Sequence, residues 1–510
     1  MDKKKGALNV GVSLAFKILI LVADVLVRRY LISCLGNDVN GLNSLYRSIL
    51  GFLSVAELGV GSAITFCMYK PIVEGNDDKV AALYGLFTRL YLIIGAIIAV
   101  SGCIVMPFLK FLAKDYQTID VNLYLTFGLM LISVVMTYMF SSKTSLMNAY
   151  KNNYITTTIS SVGQLLQCGL QILVLFLTRS FVWFLVCRIV SAAVQWILTE
   201  IVSRLKHGVI MKNKQKVDDE TRKEVTKNVK AMFMHRIGSV LVNTADSIII
   251  SAFIGLAVLG NYSNYTTIMV AMTGVITLFF TPLTSVIGHM SVEEDASGVM
   301  KYHNFFHAFN FVIGMIFFLG YYAVVDNLVT ICFGSDLEIS KTISFVITLN
   351  YFIQFMRQST LLFRDATGTF YNDRWKPIVE GVLNVALSIL FVKVFPEQYS
   401  VVGVIVATII TNLFICHIVE PHVLYKYAFK TNTKRYYLLN YLYIAVFTGA
   451  LVVLHFCMVN IDNQWLELLA NGAIAVAIAL FVCAVVILLN KDFRYYAKEA
   501  LKKLKKTPRR

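Results

Sequence analysis

The sequence predicts an all-α polytopic membrane protein of about fourteen transmembrane helices, arranged as two parallel six-helix lobes plus two C-terminal helices around a central cavity. Three observations lead there. The 510 residues are 57% hydrophobic and only 15% charged, with 7 prolines and a mean hydropathy of +0.68, against roughly 25% charged residues in an average soluble domain. Apolar runs long enough to cross a bilayer, about 20 residues each, recur along the whole chain. A shift of the sequence against itself aligns its first and second halves.

The expected spans, in order, are 8–34, 42–69, 81–108, 121–142, 155–178 and 181–203 in a first lobe. A basic linker at 204–230 follows, and then 231–254, 262–290, 304–325, 342–363, 377–396 and 400–425 form a second lobe within 231–425. Two further spans, 437–460 and 466–489, lie within 437–489, ahead of a basic amphipathic tail at 490–510. The first lobe with its preceding residues occupies 1–203. Lys17, Asp24, Arg28 and Arg29 make the first span unusual, and Arg357 interrupts the tenth.

Moving the chain by 219 positions lays Asn9-Val10 on Asn228-Val229, Lys17-Ile18 on Arg236-Ile237 and Asp24 on Asn243. The same ungapped shift lays Gly36, Val39, Gly41, Ser44, Tyr46 and Ile49 on Gly255, Val258, Gly260, Ser263, Tyr265 and Ile268. An even number of spans separates the copies, so both enter the membrane from one side and the repeat is parallel.

The formal net charge of +16 would suggest a nucleic-acid partner in a soluble chain, but its distribution excludes that reading. It concentrates in Lys3 to Lys5, in 204–230, where nine basic residues face four acidic ones, and in 490–510, where nine face two. Under the positive-inside rule these segments are cytoplasmic, with both termini inside. The opposite loops are short and carry few basic residues (Lys110, Lys114, Arg179, Lys341 and Lys393), leaving no room for an external catalytic domain. Lys3 to Lys5 and Leu31-Ile32-Ser33-Cys34 imitate a lipoprotein signal, but the charges within the first span break the required apolar stretch. The nine cysteines contain no C-x-x-C and read as small buried hydrophobes. His303 and His307 have helical metal-pair spacing without a third ligand, and read as interfacial histidines.

Charges placed inside a bilayer are costly, about 2.5–3.5 kcal/mol each on insertion scales, and must face a partner or water. Arg28, Arg29, Arg47, Glu200 and Glu420 lie near span ends, where snorkelling explains them. The candidate anion-binding set is Lys17, Arg47, Arg89, Arg188, His235, Arg236 and Arg357, with Lys17 and Arg236 equivalent in the repeat. A planar guanidinium donates two parallel hydrogen bonds to phosphate oxygens. Asp246 with Asn243, and Glu380 with Asn384 at i, i+4, form a candidate ion-coupling set for a hard cation or a proton; a structural hydrogen-bonded cluster is the other reading. Glu57-Leu58-Gly59-Val60-Gly61 and Pro282 are candidate hinges, and 282 corresponds to 63 in the repeat, beside Gly59 and Gly61. In the tail, Phe493, Tyr496, Ala497, Ala500, Leu501 and Leu504 share one helical face with lysines opposite, as suits an anionic leaflet.

The full-length arrangement, together with Ala56-Glu57-Leu58-Gly59-Val60-Gly61-Ser62-Ala63, resembles the bacterial polysaccharide (Wzx-like, oligosaccharidyl-lipid) flippases of the multidrug/oligosaccharidyl-lipid/polysaccharide (MOP) exporter superfamily. The resemblance implies flipping of an undecaprenyl-pyrophosphate-linked oligosaccharide from the cytoplasmic to the external leaflet, with a polysaccharide polymerase and glycosyltransferases as functional partners. Lipid II flippases are similar in layout. They carry functional arginines on early helices and a sodium site between the seventh and eleventh helices, which Asp246, Glu380 and Asn384 would approximate. Sodium or a proton is the implied coupling ion, with no other cofactor. The rival readings are a cation-coupled multidrug exporter or lipid II-type flippase of the same fold and, from another class, a membrane glycosyltransferase. The last lacks an external acid-metal or acid-base constellation, so the chain is expected not to be an enzyme.

Overall fold

The computed structural model describes residues 3–54, 60–213, 215, 217–218, 244–280, 283, 287–288, 290, 293–489 and 493–495. Among these the chain is helical, with no β-strand. The helices are α1 (Lys3–Leu35), α2 (Asn37–Leu53), α3 (Val60–Val73), α4 (Asp77–Val105), α5 (Leu123–Ala149), α6 (Asn153–Thr178), α7 (Phe181–Lys212), α8 (Thr244–Ile254) and α9 (Leu256–Phe280). They continue as α10 (Ala296–Phe333), α11 (Lys341–Met356), α12 (Gln358–Ala366), α13 (Lys376–Val394), α14 (Glu397–Phe429), α15 (Lys434–Cys457) and α16 (Gln464–Leu489).

Nine helices are long and apolar enough to cross a membrane, among the described residues: the one from Asp77 to Leu112, α5, α6, α7, α10, α13, α14, α15 and α16. Many of them expose Leu, Ile, Val and Phe along their length, as lipid-facing surfaces require. The count of fourteen does not emerge directly. α1 carries the four charges of the first span, and the expected span 42–69 is represented by α2 and α3 on either side of 55–59, which lie outside the described residues. The expected span 342–363 is two helices, α11 and α12. They meet at Arg357, whose amide bonds back three residues to Gln354 O at 3.3 Å instead of four.

The chain forms two compact units, residues Met1–Gly260 and Asn261–Arg510. The division falls later than the 204–230 linker, for two reasons. α7 extends nine residues beyond its expected end, to Lys212, bending at His207 (φ −131°). Residues 244–260 bond to earlier helices: Ser251 Oγ donates to Leu112 O at 2.7 Å and Asn37 Nδ2 donates to Ala257 O at 2.9 Å. The two C-terminal helices are integral to the second unit. Gly472 of α16 sits against Val324, and Tyr322 Oη bonds His455 Nδ1 at 2.6 Å. Of the tail only 493–495 are described, and there Phe493 packs its ring on Phe305 at 5.3 Å.

The repeat is visible in the first unit as matched backbone. Gly36 (φ 87°, ψ 165°) joins α1 to α2, and its counterpart Gly255 (φ 149°, ψ 166°) joins α8 to α9. Both occupy a region open essentially to glycine alone. The helices that follow cross at their first turns. A methyl on Gly41 would lie 2.0 Å from Leu256 O, and one on its counterpart Gly260 would lie 2.6 Å from Asn37. The pairs 41–256 and 37–260 exchange under the 219-residue shift, which is the signature of a local two-fold. The next conserved feature of the two copies, tyrosine, is buried in both. Tyr46 Oη donates to Leu123 O at 2.9 Å and Tyr265 Oη donates to Asp326 Oδ1 at 2.8 Å.

Candidate functional site

In the first unit, Asp24 and Arg28 lie one turn apart on α1, Arg47 is in the second half of α2, and Cys168 and Arg188 come from α6 and α7. Packing of α1 on α6 and of α6 on α7 brings them together. Cys168 Sγ donates to Asp24 Oδ1 at 3.6 Å. Arg47 stands within electrostatic range of both Arg28 and Arg188, and Asp24 likewise of both. Arg28 is 8% exposed, so the end-of-span snorkelling expected for it does not occur. Arg188 Nε is buried without a hydrogen-bond partner among the described residues. Three guanidinium groups thus fall within electrostatic range of the Asp24 carboxylate or of one another, with Arg47 and Asp24 exposed and Arg28 buried. Guanidinium donors grouped in this way can hold a dianionic phosphate group.

The second unit holds a buried network of a different kind. On α14 a π-helical turn, Asn412–Cys416, sets Asn412, Cys416 and Glu420 on one face. On α13, Lys376 and Glu380 are i, i+4. Arg357, between α11 and α12, grips Glu420 with Nε to Oε2 at 3.0 Å and Nη2 to Oε1 at 2.6 Å. Its Nη1 donates to Asn412 Oδ1 at 2.6 Å and lies 3.7 Å from Glu380 Oε1. Lys376 Nζ reaches Glu420 Oε1 at 2.6 Å and Glu380 Oε2 at 3.0 Å. Two cations and two anions therefore close on one another. Glu420, expected to snorkel, is 1% exposed. Arg364 adds a neighbouring pair, Nη1 to Asp373 Oδ2 at 2.8 Å.

The other expected site residues belong to several helices. Lys17 and Arg89 are exposed, on α1 and α4. Asp246 is buried in the first unit, whereas Glu380 and Asn384 are buried in the second. Asn384 Nδ2 donates to Thr408 Oγ1 at 2.8 Å, and its Oδ1 has no partner among the described residues. Gly61 brings α3 onto Tyr91, whose Oη would lie 2.6 Å from an added methyl. His235, Arg236, Asn243, Gly59 and Pro282 lie outside the described residues. His303 and His307 are not interfacial; they are 0% and 3% exposed on the core face of α10, among Phe363, Tyr425 and Tyr436. Among the described residues no three His, Cys, Asp or Glu side chains are grouped to hold a metal ion.

Position along the spans does not reveal Arg28 as a buried group, or Lys376, Asn412, Cys416 and Glu420 as members of the network around Arg357. The i, i+4 pairs Asp24–Arg28 and Lys376–Glu380 were the available signal, since opposite charges at that spacing meet on one helix face. One further feature is a groove of about 820 Å³ in the second unit. Leu439, Leu442, Val446, Phe481, Val485 and Leu489 line it, and Asn304, Asn432 and Arg435 stand at one end. That end adjoins a basic recess formed by His422, Lys426, Lys430 and Lys434.

No protein-family model and no curated protein matches the sequence. Solved structures do match its fold. The lipid II flippase MurJ in its inward closed conformation superposes with a TM-score of 0.63 at 16% identity, covering 95% of this chain and all (100%) of that one. An inward-facing multidrug resistance MATE family transporter of the MOP superfamily gives 0.58 at 11% identity, over 86% of this chain and 98% of that one. The Vibrio cholerae MATE transporter VcmN gives 0.53 at 13%, over 83% and 100%. The chain is accordingly a multi-pass membrane protein with the all-helical fold of MOP transporters.

Proposed function

We propose that this protein is a flippase for an anionic, lipid-linked oligosaccharide, an undecaprenyl-pyrophosphate conjugate, moved from the cytoplasmic to the external leaflet by alternating access for surface polysaccharide synthesis. The observation that carries the reading is the grouping of Arg28, Arg47 and Arg188 within electrostatic range of one another or of Asp24, with Arg28 buried and Arg188 Nε without a hydrogen-bond partner among the described residues. A buried guanidinium donor that lacks an acceptor, as Arg188 Nε does among the described residues, is retained against a cost in stability, and an anionic substrate repays that cost when it binds. An exporter of organic cations would place carboxylates and aromatic rings there instead.

The groove supports the same substrate class. It is apolar along its length and polar or basic at one end, which suits an amphiphile with an anionic head. The segregation of Lys and Arg to the termini and the 204–230 segment supports a cytoplasmic-membrane orientation with both ends inside. Polymerase and glycosyltransferases would act after and before the flip.

The test is substitution of Arg47 and Arg188 by Ala, singly and together, in a host whose surface polysaccharide depends on this chain. Polymer at the surface should fall while lipid-linked repeat units accumulate on the cytoplasmic side and protein levels hold. Normal polymer in the double variant would rule the reading out, and energy-dependent efflux of a cationic dye would replace it with drug export.

A further inference from the structure

Fold and resemblance together lead one to expect a sodium ion near Glu380, yet the side chains around that carboxylate do not fit one. Glu380 Oε2 lies 3.0 Å from Lys376 Nζ, and its Oε1 lies 3.7 Å from Arg357 Nη1. Both oxygens of Glu420 are also taken, Oε1 by Lys376 and Arg357 and Oε2 by Arg357. An added cation would have to displace a fixed one or share oxygens with it, leaving excess positive charge in a region where Lys376, Glu380 and Glu420 side chains are 4%, 5% and 1% exposed.

We infer that Lys376 is a tethered cation, its ammonium filling the position between Glu380 and Glu420 that a soluble ion would otherwise take, so that the native chain binds no sodium at this carboxylate pair. The ammonium has three donors and three acceptors. Besides the two carboxylates it donates to Cys416 Sγ at 3.5 Å, a soft ligand ill suited to a hard cation that requires oxygens. Its place is set by the chain: Lys376 opens α13 directly ahead of Pro377, in the first turn, so backbone geometry holds it under Glu380 at i, i+4. Being covalently attached, this cation cannot be diluted away, and the pair stays compensated at any sodium concentration.

The inference concerns the cation and stands whichever substrate is carried. It also makes a gain-of-function claim. With the ammonium removed, Arg357 faces two carboxylates, and the vacated position has the oxygens of Glu380 and Glu420 to offer a small monovalent cation.

The experiment uses purified full-length protein and reads thermal unfolding in sodium chloride against choline chloride at equal ionic strength, alongside equilibrium binding of radiolabelled sodium. The native chain should unfold at the same midpoint in both salts. Lys376→Ala should unfold several degrees lower in choline and recover saturably in sodium, and the recovery should vanish in Lys376→Ala/Glu380→Gln. Lys376→Arg, which keeps the charge, should not respond to sodium. A sodium-specific stabilisation of the native chain that Glu380→Gln removes would overturn the inference, as would a folded Lys376→Ala blind to sodium. Should the alanine variant not purify, the native chain and Glu380→Gln still decide through sodium binding: Glu380-dependent uptake refutes the tethered cation, and its absence supports it. Because these readouts involve no polymer, their failure is separate from failure of the flippase reading.

Discussion

Glu420→Gln is the sharpest perturbation of the second unit. The carboxylate is 1% exposed and meets Arg357 at 2.6 and 3.0 Å and Lys376 at 2.6 Å. Its neutralisation leaves two cations sharing Glu380. Each opposite-charge pair is worth about 4 kcal/mol at roughly 4 Å between charge centres and an effective dielectric near 20. Relief from desolvating the carboxylate offsets part of this, and a broken buried pair typically costs about 3–5 kcal/mol in all. For a unit of this size that corresponds to a midpoint lowered by roughly 6–20 °C. The assay is thermal unfolding of the purified chain, scored by surviving monodisperse protein. A double-mutant cycle with Arg357→Met isolates the pair: the double variant leaves Lys376 against Glu380, one to one, and should lose less than the sum of the singles. Glu74→Gln is the control, because its pair with Lys70 is 85% exposed on the lysine and 51% on the glutamate, and should cost no more than about 1 kcal/mol. A Glu420→Gln midpoint within about 3 °C of native, or an additive cycle, would refute the closed network.

In the first unit the sign should differ. Arg188→Leu removes a guanidinium that faces Arg47, so the midpoint should hold or rise while polymer export falls; a destabilised variant would show that Arg188 is a structural ion-pair member. Gly36→Ala should cost about 1–3 kcal/mol in unfolding assays from forbidden backbone alone, and Gly255→Ala at least as much, since its methyl would also lie 3.1 Å from Asp115 Oδ2, whereas Gly85→Ala, where an added methyl meets nothing within 4 Å, should be neutral or stabilising. Gly41→Leu cannot be accommodated against Leu256 O, so an unchanged midpoint and unchanged export in that variant would contradict the helix crossing. Filling the groove by Val446→Trp should depress export of a lipid-linked substrate without unfolding the chain, and normal export would remove the groove from the substrate path.

Fold class, lobe repeat and membrane residence were legible in the sequence because they depend on features that act locally: apolar length, charge segregation and glycine at a turn. Gly36 and Gly255 show this well, since a 219-residue shift found both and their backbone angles need nothing beyond glycine. The partners of charged side chains were not legible. Arg357 looked like a free cation because Glu420 is 63 residues away and Asn412 is 55 away, and only the packing of α13 and α14 around the α11–α12 junction brings them within 3.0 Å. Arg28 looked peripheral because a position along a helix does not specify which face is covered by α2 and α6. By itself, then, the sequence determined that charges enter the membrane and which stretches of the chain carry them. Only the tertiary structure decided which are neutralised and which are left over, because compensation between charges is set by distances of a few ångströms between helices far apart in the chain.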